Sequence, residues 1–229
     1  MIIEFLGVPG IGKSYVVNRF SEKLKESNIE SRITNEKYYS IKNKHIWRIK
    51  KTYSIGKLLS KSTTAWKVLF LILKDDSLLK FRISNAYNVL SVLSSNKIDE
   101  KEKQIILRDE GIYQMLFSLK LFSNTDTEQV SKLFKKIIKT PSIVIYLYSS
   151  GSVIDGLKVQ DKGGRIYQCL KNGSLNENRI RSSIDHILKL NELDSITIKK
   201  YEYNKSDEKL CGIIDNLMLE VAGVEQLLN

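Results

Sequence analysis

The chain has 229 residues, of which 42% are hydrophobic and 28% are charged, and its formal net charge is +11. This length and composition predict a single globular domain, 1–229, with a sizeable core. Cys169 and Cys211 are too few for a disulfide framework, and the longest apolar run is too short to span a membrane. Because no basic leader precedes the first strand, we expect a cytoplasmic protein, and its positive charge should attract anions.

The chain opens with a strand, a glycine-rich turn and a helix. Ile2 to Leu6 is an apolar strand, and apolar residues then recur at helical spacing from Val16 to Leu24. Between them, residues 7–14 match G-x-x-x-x-G-K-[ST], the P-loop, whose backbone N–H groups cradle phosphates. The predicted nucleotide ligands are Gly7, Pro9, Gly10, Ile11, Gly12, Lys13, Ser14 and Tyr15.

Two side chains of this loop have predicted chemical roles. Lys13 would reach the β- and γ-phosphates as a catalytic cation, and the Ser14 hydroxyl would hold Mg²⁺. The helix that follows adds the positive end of its dipole to the same site.

Strands and helices alternate along the rest of the chain. Further strands are expected at about 31–35, 104–107, 142–148 and 196–203, and helices at about 13–27, 41–60, 63–74, 76–95, up to 122, 176–190 and from 206 onward. One more helix should begin at the capping-box spacing of Thr125 and Glu128 and be closed by Pro141. This alternation predicts an α/β fold with a parallel sheet covered on both faces. Ligands of such a sheet bind at the carboxyl ends of its strands.

Acidic residues follow two of these strands. Asp109 comes after the third strand, where a P-loop protein places the carboxylate that holds Mg²⁺. Arg108 interrupts the apolar run just before it. Glu110 could activate a hydroxyl or water, or could be a surface acid at a helix start. Glu36, after the second strand, could accept the proton of an acceptor hydroxyl, or could be an exposed loop acid.

Residues 38–103 are predicted to form a basic helical insert. From Lys37 to Lys74 the chain has nine lysines and one arginine but no acid, with aromatic residues interleaved. This mixture predicts a site for an anionic acceptor, centred near Tyr38–Arg48. The alternatives are contact with an acidic membrane surface and a solvated helix face whose lysine stems cover apolar surface.

A glycine-interrupted basic segment, 152–173, is predicted to be a lid over the transferring phosphates. Arg165 is its candidate catalytic cation, and Lys158 and Lys162 are candidate phosphate contacts. The alternative is a mobile surface loop with ordinary lysines.

These features together resemble the thymidylate kinase and deoxynucleoside kinase group of P-loop kinases. The resemblance rests on Gly7 to Ser14, on Glu36, on Asp109-Glu110-Gly111, on the cations of the lid and on Asn204-Lys205-Ser206 before the last helix. It implies a three-layer fold with five parallel strands in the order 2-3-1-4-5. It also implies ATP and Mg²⁺ as cofactors, with Asn204 and Lys205 beside the adenine.

The chain departs from that group at two positions. Lys37 follows Glu36 where the group carries proline, and Glu110 stands where it carries arginine. The kinase fold tolerates such changes better than the choice of acceptor does.

Three functions follow from these observations. The leading hypothesis is Mg²⁺-dependent phosphoryl transfer from ATP to a nucleoside, a nucleotide or a sugar. The alternatives are a mechanical or regulatory ATPase or GTPase, and a basic nucleic-acid-binding protein. Residues 204–207 match the guanine motif Asn-Lys-x-Asp, but no Asp-x-x-Gly follows the third strand, so ATP is the expected donor. The oligomeric state, including a homodimer, is left open.

Overall fold

The computed structural model describes residues 1–8, 10–34, 44–75, 79–99, 104–139, 141–150, 169, 173, 175–193, 196–204 and 206–228. Its strands are β1 (Ile2–Leu6), β2 (Ser31–Ile33), β3 (Ile105–Arg108), β4 (Ile143–Tyr148) and β5 (Thr197–Glu202). Its helices are α1 (Lys13–Glu26), α2 (Lys44–Lys61), α3 (Thr63–Leu73), α4 (Leu79–Asp99), α5 (Ile112–Phe122), α6 (Thr127–Lys135), α7 (Glu177–Leu193) and α8 (Asp207–Leu228).

The strands form one parallel sheet in the order β2-β3-β1-β4-β5. This confirms the predicted order and fold class. Every residue of β1 and β3 is buried, because both faces of the sheet are covered. Helix α1 packs with α8, and α5 packs with α7, while β1 contacts both α1 and α5. The carboxyl ends of β1 and β3 therefore meet at one edge of the sheet, where the P-loop begins.

The described residues of the region 38–103 form three helices. Helices α2 and α3 both pack against α4, and α3 also packs against α6. Ser62 caps α3, since its hydroxyl accepts the N–H of Ala65 at 3.2 Å. Trp66 in α3 donates its indole N–H to the Leu59 carbonyl of α2 at 3.0 Å. Among the helices of the described residues, none is both long and apolar enough to cross a membrane.

The predicted start and end of α6 are wrong. Its N-cap is Asp126, whose carboxylate accepts the N–H groups of Glu128 at 3.0 Å and of Gln129 at 3.1 Å. Thr125 instead donates its hydroxyl to Asp75. The capping-box spacing therefore placed the N-cap one residue before its actual position. The helix ends at Lys135, well before the proline expected to close it.

Candidate active site

The loop between β1 and α1 can be built only with glycine at its key positions. Gly10 and Gly12 have φ angles of 82° and 105°, in the left-handed region that side chains disfavour. A Cβ on Gly12 would also lie 2.7 Å from the Tyr203 ring, and one on Gly7 would lie 2.7 Å from the Leu147 carbonyl oxygen. The loop therefore packs closely against β4 and against the residue that follows β5. Gly12 is also the N-cap of α1.

Two other loop residues have different surroundings. Ile11 is buried in the core, and its N–H donates to the Val8 carbonyl at 3.3 Å. Tyr15 is 48% exposed in the first turn of α1 and interacts electrostatically with Tyr203. Ile11 thus anchors the loop to the core, while Tyr15 faces solvent at the mouth of the site.

Lys13 bends back over the loop. Its Nζ donates to the Gly7 carbonyl at 3.0 Å and to the Val8 carbonyl at 3.4 Å. Burial lowers the pKa of the ammonium, while the charges of Asp109 and Glu110 oppose that shift. The cation predicted to follow the transferring phosphoryl group therefore lies between the P-loop and the two acids that follow β3.

The structure brings the two predicted metal ligands together. Ser14 donates its hydroxyl to Oδ2 of Asp109 at 2.6 Å, although 95 residues separate them in sequence. Both supply the oxygen ligands that Mg²⁺ prefers, and Mg²⁺ is usually held by one or two protein groups together with substrate phosphates. One hydroxyl and one carboxylate fit Mg²⁺ in that mode, in which phosphates and water supply the other ligands. Among the described residues there is no cluster of three acidic, histidine or cysteine ligands.

Glu4 and Arg108 form a buried charged pair that sequence reasoning missed. They are register partners on β1 and β3, and both are fully buried. The Glu4 carboxylate accepts the N–H groups of Ile112 at 3.0 Å, Tyr113 at 2.6 Å and Gln114 at 3.2 Å. Desolvation raises its pKa to about 7, although Arg108 and these N–H groups lower it. The sequence signal that could have revealed this pair is one acid and one base, each inside an apolar strand, in the strands that became β1 and β3.

The Glu4 carboxylate fixes the start of α5 beside the P-loop. Gly111 has no room for a Cβ because the Glu4 carboxylate fills that space. In the first turn of α5, Gln114 accepts the Gly7 N–H at 3.3 Å through its side-chain oxygen. The turn that carries Asp109 and Glu110 is thereby held between β3, β1 and the P-loop.

A lysine of the insert also reaches this edge of the sheet. Lys51 in α2 has its ammonium 4.1 Å from the centre of the Trp47 ring. Burial lowers the pKa of Lys51, and the charge of Glu110 opposes the shift. Glu110 itself is exposed. Sequence reasoning noticed Lys51 only as one of the ten cations from Lys37 to Lys74, because its position depends on how α2 packs.

Asn204 lies on the other side of the P-loop, after β5. Its side-chain oxygen accepts the Ser206 N–H at 3.3 Å, which turns the chain into α8. The preceding residue, Tyr203, is the one whose ring lies against Gly12. The loop predicted to hold the base is therefore adjacent to the glycine turn.

Several predicted site residues lie outside the described residues. They are Pro9, Glu36, Lys158, Lys162, Arg165 and Lys205. Most of the predicted lid, 152–173, and the insert residues 38–43 also lie outside them. Their roles stay predictions.

No family model matches the chain, and no curated protein sequence matches it significantly. Solved structures do match over nearly its whole length. Deoxyadenosine kinase from M. mycoides, solved with dCMP and a flexible dCDP, is 14% identical with a TM-score of 0.56, over 97% of this chain and 100% of that one. Thymidylate kinase from Candida albicans is 13% identical with a TM-score of 0.55, over 98% and 92% of the two chains.

The YorR protein from Bacillus subtilis, in complex with phosphorylated GDP, is 16% identical with a TM-score of 0.52, over 99% and 98% of the two chains. The chain has the fold of the P-loop nucleoside and nucleotide kinases. The resemblance predicted from the sequence is therefore confirmed for the fold. At the strand edge of this fold, Ser14 lies against Asp109, and Lys13 lies beside them.

Proposed function

We propose that the chain is a Mg²⁺-dependent kinase that transfers the γ-phosphoryl group of ATP to a small acceptor. The observation that carries this proposal is the 2.6 Å contact between Ser14 and Asp109, because it joins the P-loop to the carboxylate after β3. The acceptor is a nucleoside, a nucleotide or a sugar. We favour nucleosides and nucleotides as acceptors, because a deoxyadenosine kinase and a thymidylate kinase share the fold.

Each residue of the site has a role in this reaction. Lys13 now donates to two loop carbonyls and would exchange them for phosphate oxygens when ATP binds. Ser14 and Asp109 would hold Mg²⁺, which supplies neutralising charge to the phosphates when bound. An acceptor oxygen forms a bond to the γ-phosphorus as the bond to the β-bridging oxygen breaks, and ADP leaves. When the acceptor is a hydroxyl, its proton passes to a carboxylate, for which Glu110 and Glu36 are the candidates, whereas the phosphate oxygen of a nucleotide acceptor is already ionised.

The acceptor side of the site is basic and aromatic. Lys51 and Trp47 of α2 lie near Glu110, and this supports an anionic or aromatic acceptor there. Arg165, Lys158 and Lys162 would close over the phosphates as a lid, and Asn204 and Lys205 would contact the base. ATP is the proposed donor, although residues 204–207 keep GTP as the competing donor.

A phosphoryl-transfer screen tests the proposal. Labelled ATP and GTP are incubated with nucleosides, nucleotides and sugars, and the labelled acceptor is separated from inorganic phosphate. We expect Mg²⁺-dependent labelling of one acceptor class with ATP. Label released only as inorganic phosphate would instead favour the ATPase alternative.

Lys13→Ala should lower the turnover of this reaction by at least about 100-fold, because a charge-stabilising group is lost from the transition state. Lys25→Ala, on the exposed side of the same helix, is the matched control and should turn over normally. A folded Lys13→Ala protein with unchanged turnover would refute the assignment.

A further inference from the structure

The outward side of α2 carries exposed apolar side chains. Ile55 and Leu58 are buried on the inward side of this helix, which packs against α4. Because an α-helix repeats about every 3.6 residues, Ile46, Ile49 and Tyr53 fall together on the opposite side. Their side chains are 46%, 67% and 72% exposed.

Helix α3 repeats the pattern. Val68 and Ile72 are fully buried, whereas Trp66 and Phe70 lie on the opposite side and are 44% and 64% exposed. The hydrogen bond from Trp66 to the Leu59 carbonyl ties this side of α3 to α2. Since both helices also pack on α4, their outward sides belong to one surface of the insert.

We call this surface the outer face and define it by Ile46, Ile49, Tyr53, Trp66 and Phe70. Exposed lysines border it: Lys50, Lys57, Lys61, Lys67 and Lys74. The sequence from Lys37 to Lys74 contains no acid that could neutralise them. An exposed apolar group of this kind indicates an interaction surface, and its lysine border requires an anionic partner.

We propose that the outer face docks on an anionic phospholipid bilayer. Aliphatic and aromatic side chains would enter the boundary between headgroups and acyl chains, while the lysines contact anionic headgroups. A second copy of this chain would bring the same lysines against one another, and the segment from Lys37 to Lys74 contains no acid to pair with them. A nucleic acid would pair with the lysines but leave Ile46, Ile49 and Phe70 exposed to water.

Vesicle co-sedimentation tests this proposal. Full-length protein is mixed with vesicles of phosphatidylcholine, with or without a minority of phosphatidylglycerol. We expect binding only to the vesicles that contain phosphatidylglycerol, and less of it as salt concentration rises. Replacing Lys50, Lys57 and Lys67 by Gln should weaken binding roughly 100-fold. Replacing Ile49, Tyr53 and Phe70 by Ser should weaken it about tenfold or more, because buried apolar area is lost.

The matched control replaces Lys132, Lys136 and Lys189, which are exposed lysines outside the insert, by Gln. It removes the same charge and should bind vesicles as the parent protein does. Circular dichroism and ATP binding confirm that each variant is folded, so vesicle binding is read independently of phosphoryl transfer.

Four results would overturn the proposal. The first is binding that does not depend on phosphatidylglycerol, and the second is an equal loss of binding in the control variant. The third comes from analytical ultracentrifugation: a dimer that the serine variant dissociates would show that a second copy covers the outer face. Vesicle binding that survives excess oligonucleotide supports the lipid surface, and tight oligonucleotide binding without vesicle binding refutes it.

Discussion

Two carboxylates beside the P-loop have opposite environments. Asp109 is partly exposed at the end of β3 and accepts the Ser14 hydroxyl. Glu4 is fully buried in β1 and accepts three backbone N–H groups at the start of α5. The first is available to a metal, whereas the second can act only through the residues that it positions.

Asp109→Asn should weaken the dependence of turnover on Mg²⁺, because an amide is a poorer ligand for this cation than a carboxylate. Titration of turnover with Mg²⁺ should shift to higher concentrations and reach a lower plateau. Glu110→Gln is the matched control for the Mg²⁺ concentration at half-maximal turnover, since it removes the adjacent acid, a candidate proton acceptor, and leaves the Ser14 contact intact. If the Mg²⁺ titrations of Asp109→Asn and the parent protein superimpose, Asp109 does not hold the metal.

Glu4 should make stability depend on pH. Its pKa rises from the ordinary value of 4.5 to about 7 on folding, so the folded protein binds this proton more tightly than the unfolded chain does. The stabilisation is therefore complete below about pH 4.5 and is lost as pH rises to about 7, with a slope of at most about 1.4 kcal/mol per pH unit.

Urea unfolding of the parent protein and of Glu4→Gln across this pH range measures the effect. The difference in their free energies of unfolding should change between about pH 4.5 and 7 and be constant above that range. A difference that is the same at every pH would mean that Glu4 does not titrate there.

At the scale of the element, α2 has two chemically distinct sides. Lys51 faces Trp47 and Glu110 near the active site, whereas the adjacent Lys50 is exposed on the other side. The composition of the insert could be read from the sequence, but the division of its lysines between the two sides could not. That division depends on which side of α2 packs against α4.

Lys51→Gln should raise the KM of an anionic acceptor several-fold at low salt and leave the affinity for ATP nearly unchanged. The effect should shrink as salt screens the charge, because this ammonium is only half-buried. Lys50→Gln changes the next residue by the same substitution and should leave KM unaltered. If both substitutions raise KM equally, Lys51 does not contact the acceptor, and both lysines act only through the overall positive charge of the insert.

For the whole molecule, the P-loop is a junction between distant parts of the chain. Gly7 lies against the Leu147 carbonyl and donates to Gln114, and Gly12 lies against Tyr203. A ligand that binds this loop in the folded state should therefore stabilise the whole fold.

At 100 times its dissociation constant, such a ligand adds about 2.7 kcal/mol to the free energy of unfolding. We expect Mg·ATP to raise the thermal midpoint more than Mg·GTP at equal concentration, and Lys13→Ala to reduce both shifts. Thermal unfolding followed by circular dichroism measures this. A larger rise with GTP would contradict ATP as the donor.

A structural feature could be predicted from the sequence when the residues that determine it are close together in the chain. The P-loop was predictable because the residue types from Gly7 to Ser14 themselves specify the turn. The order of the sheet was predictable only through resemblance, since nothing within a strand specifies its neighbours. The pairing of Glu4 with Arg108 needs the register of β1 on β3. The start of α6 was misplaced because two overlapping cap patterns fit residues 125–128.

Because the Glu4 carboxylate fills the space beside Gly111, the residues that each of these positions can accept depend on the other. Any side chain at position 111 would displace the Glu4 carboxylate from the N–H groups of Ile112, Tyr113 and Gln114. Those donors would then be buried without an acceptor, at a cost of roughly 1–3 kcal/mol each. Relatives of this chain should therefore keep both residues or exchange both in one evolutionary step. A mutant library that diversifies position 111 alone would therefore consist mostly of destabilised sequences.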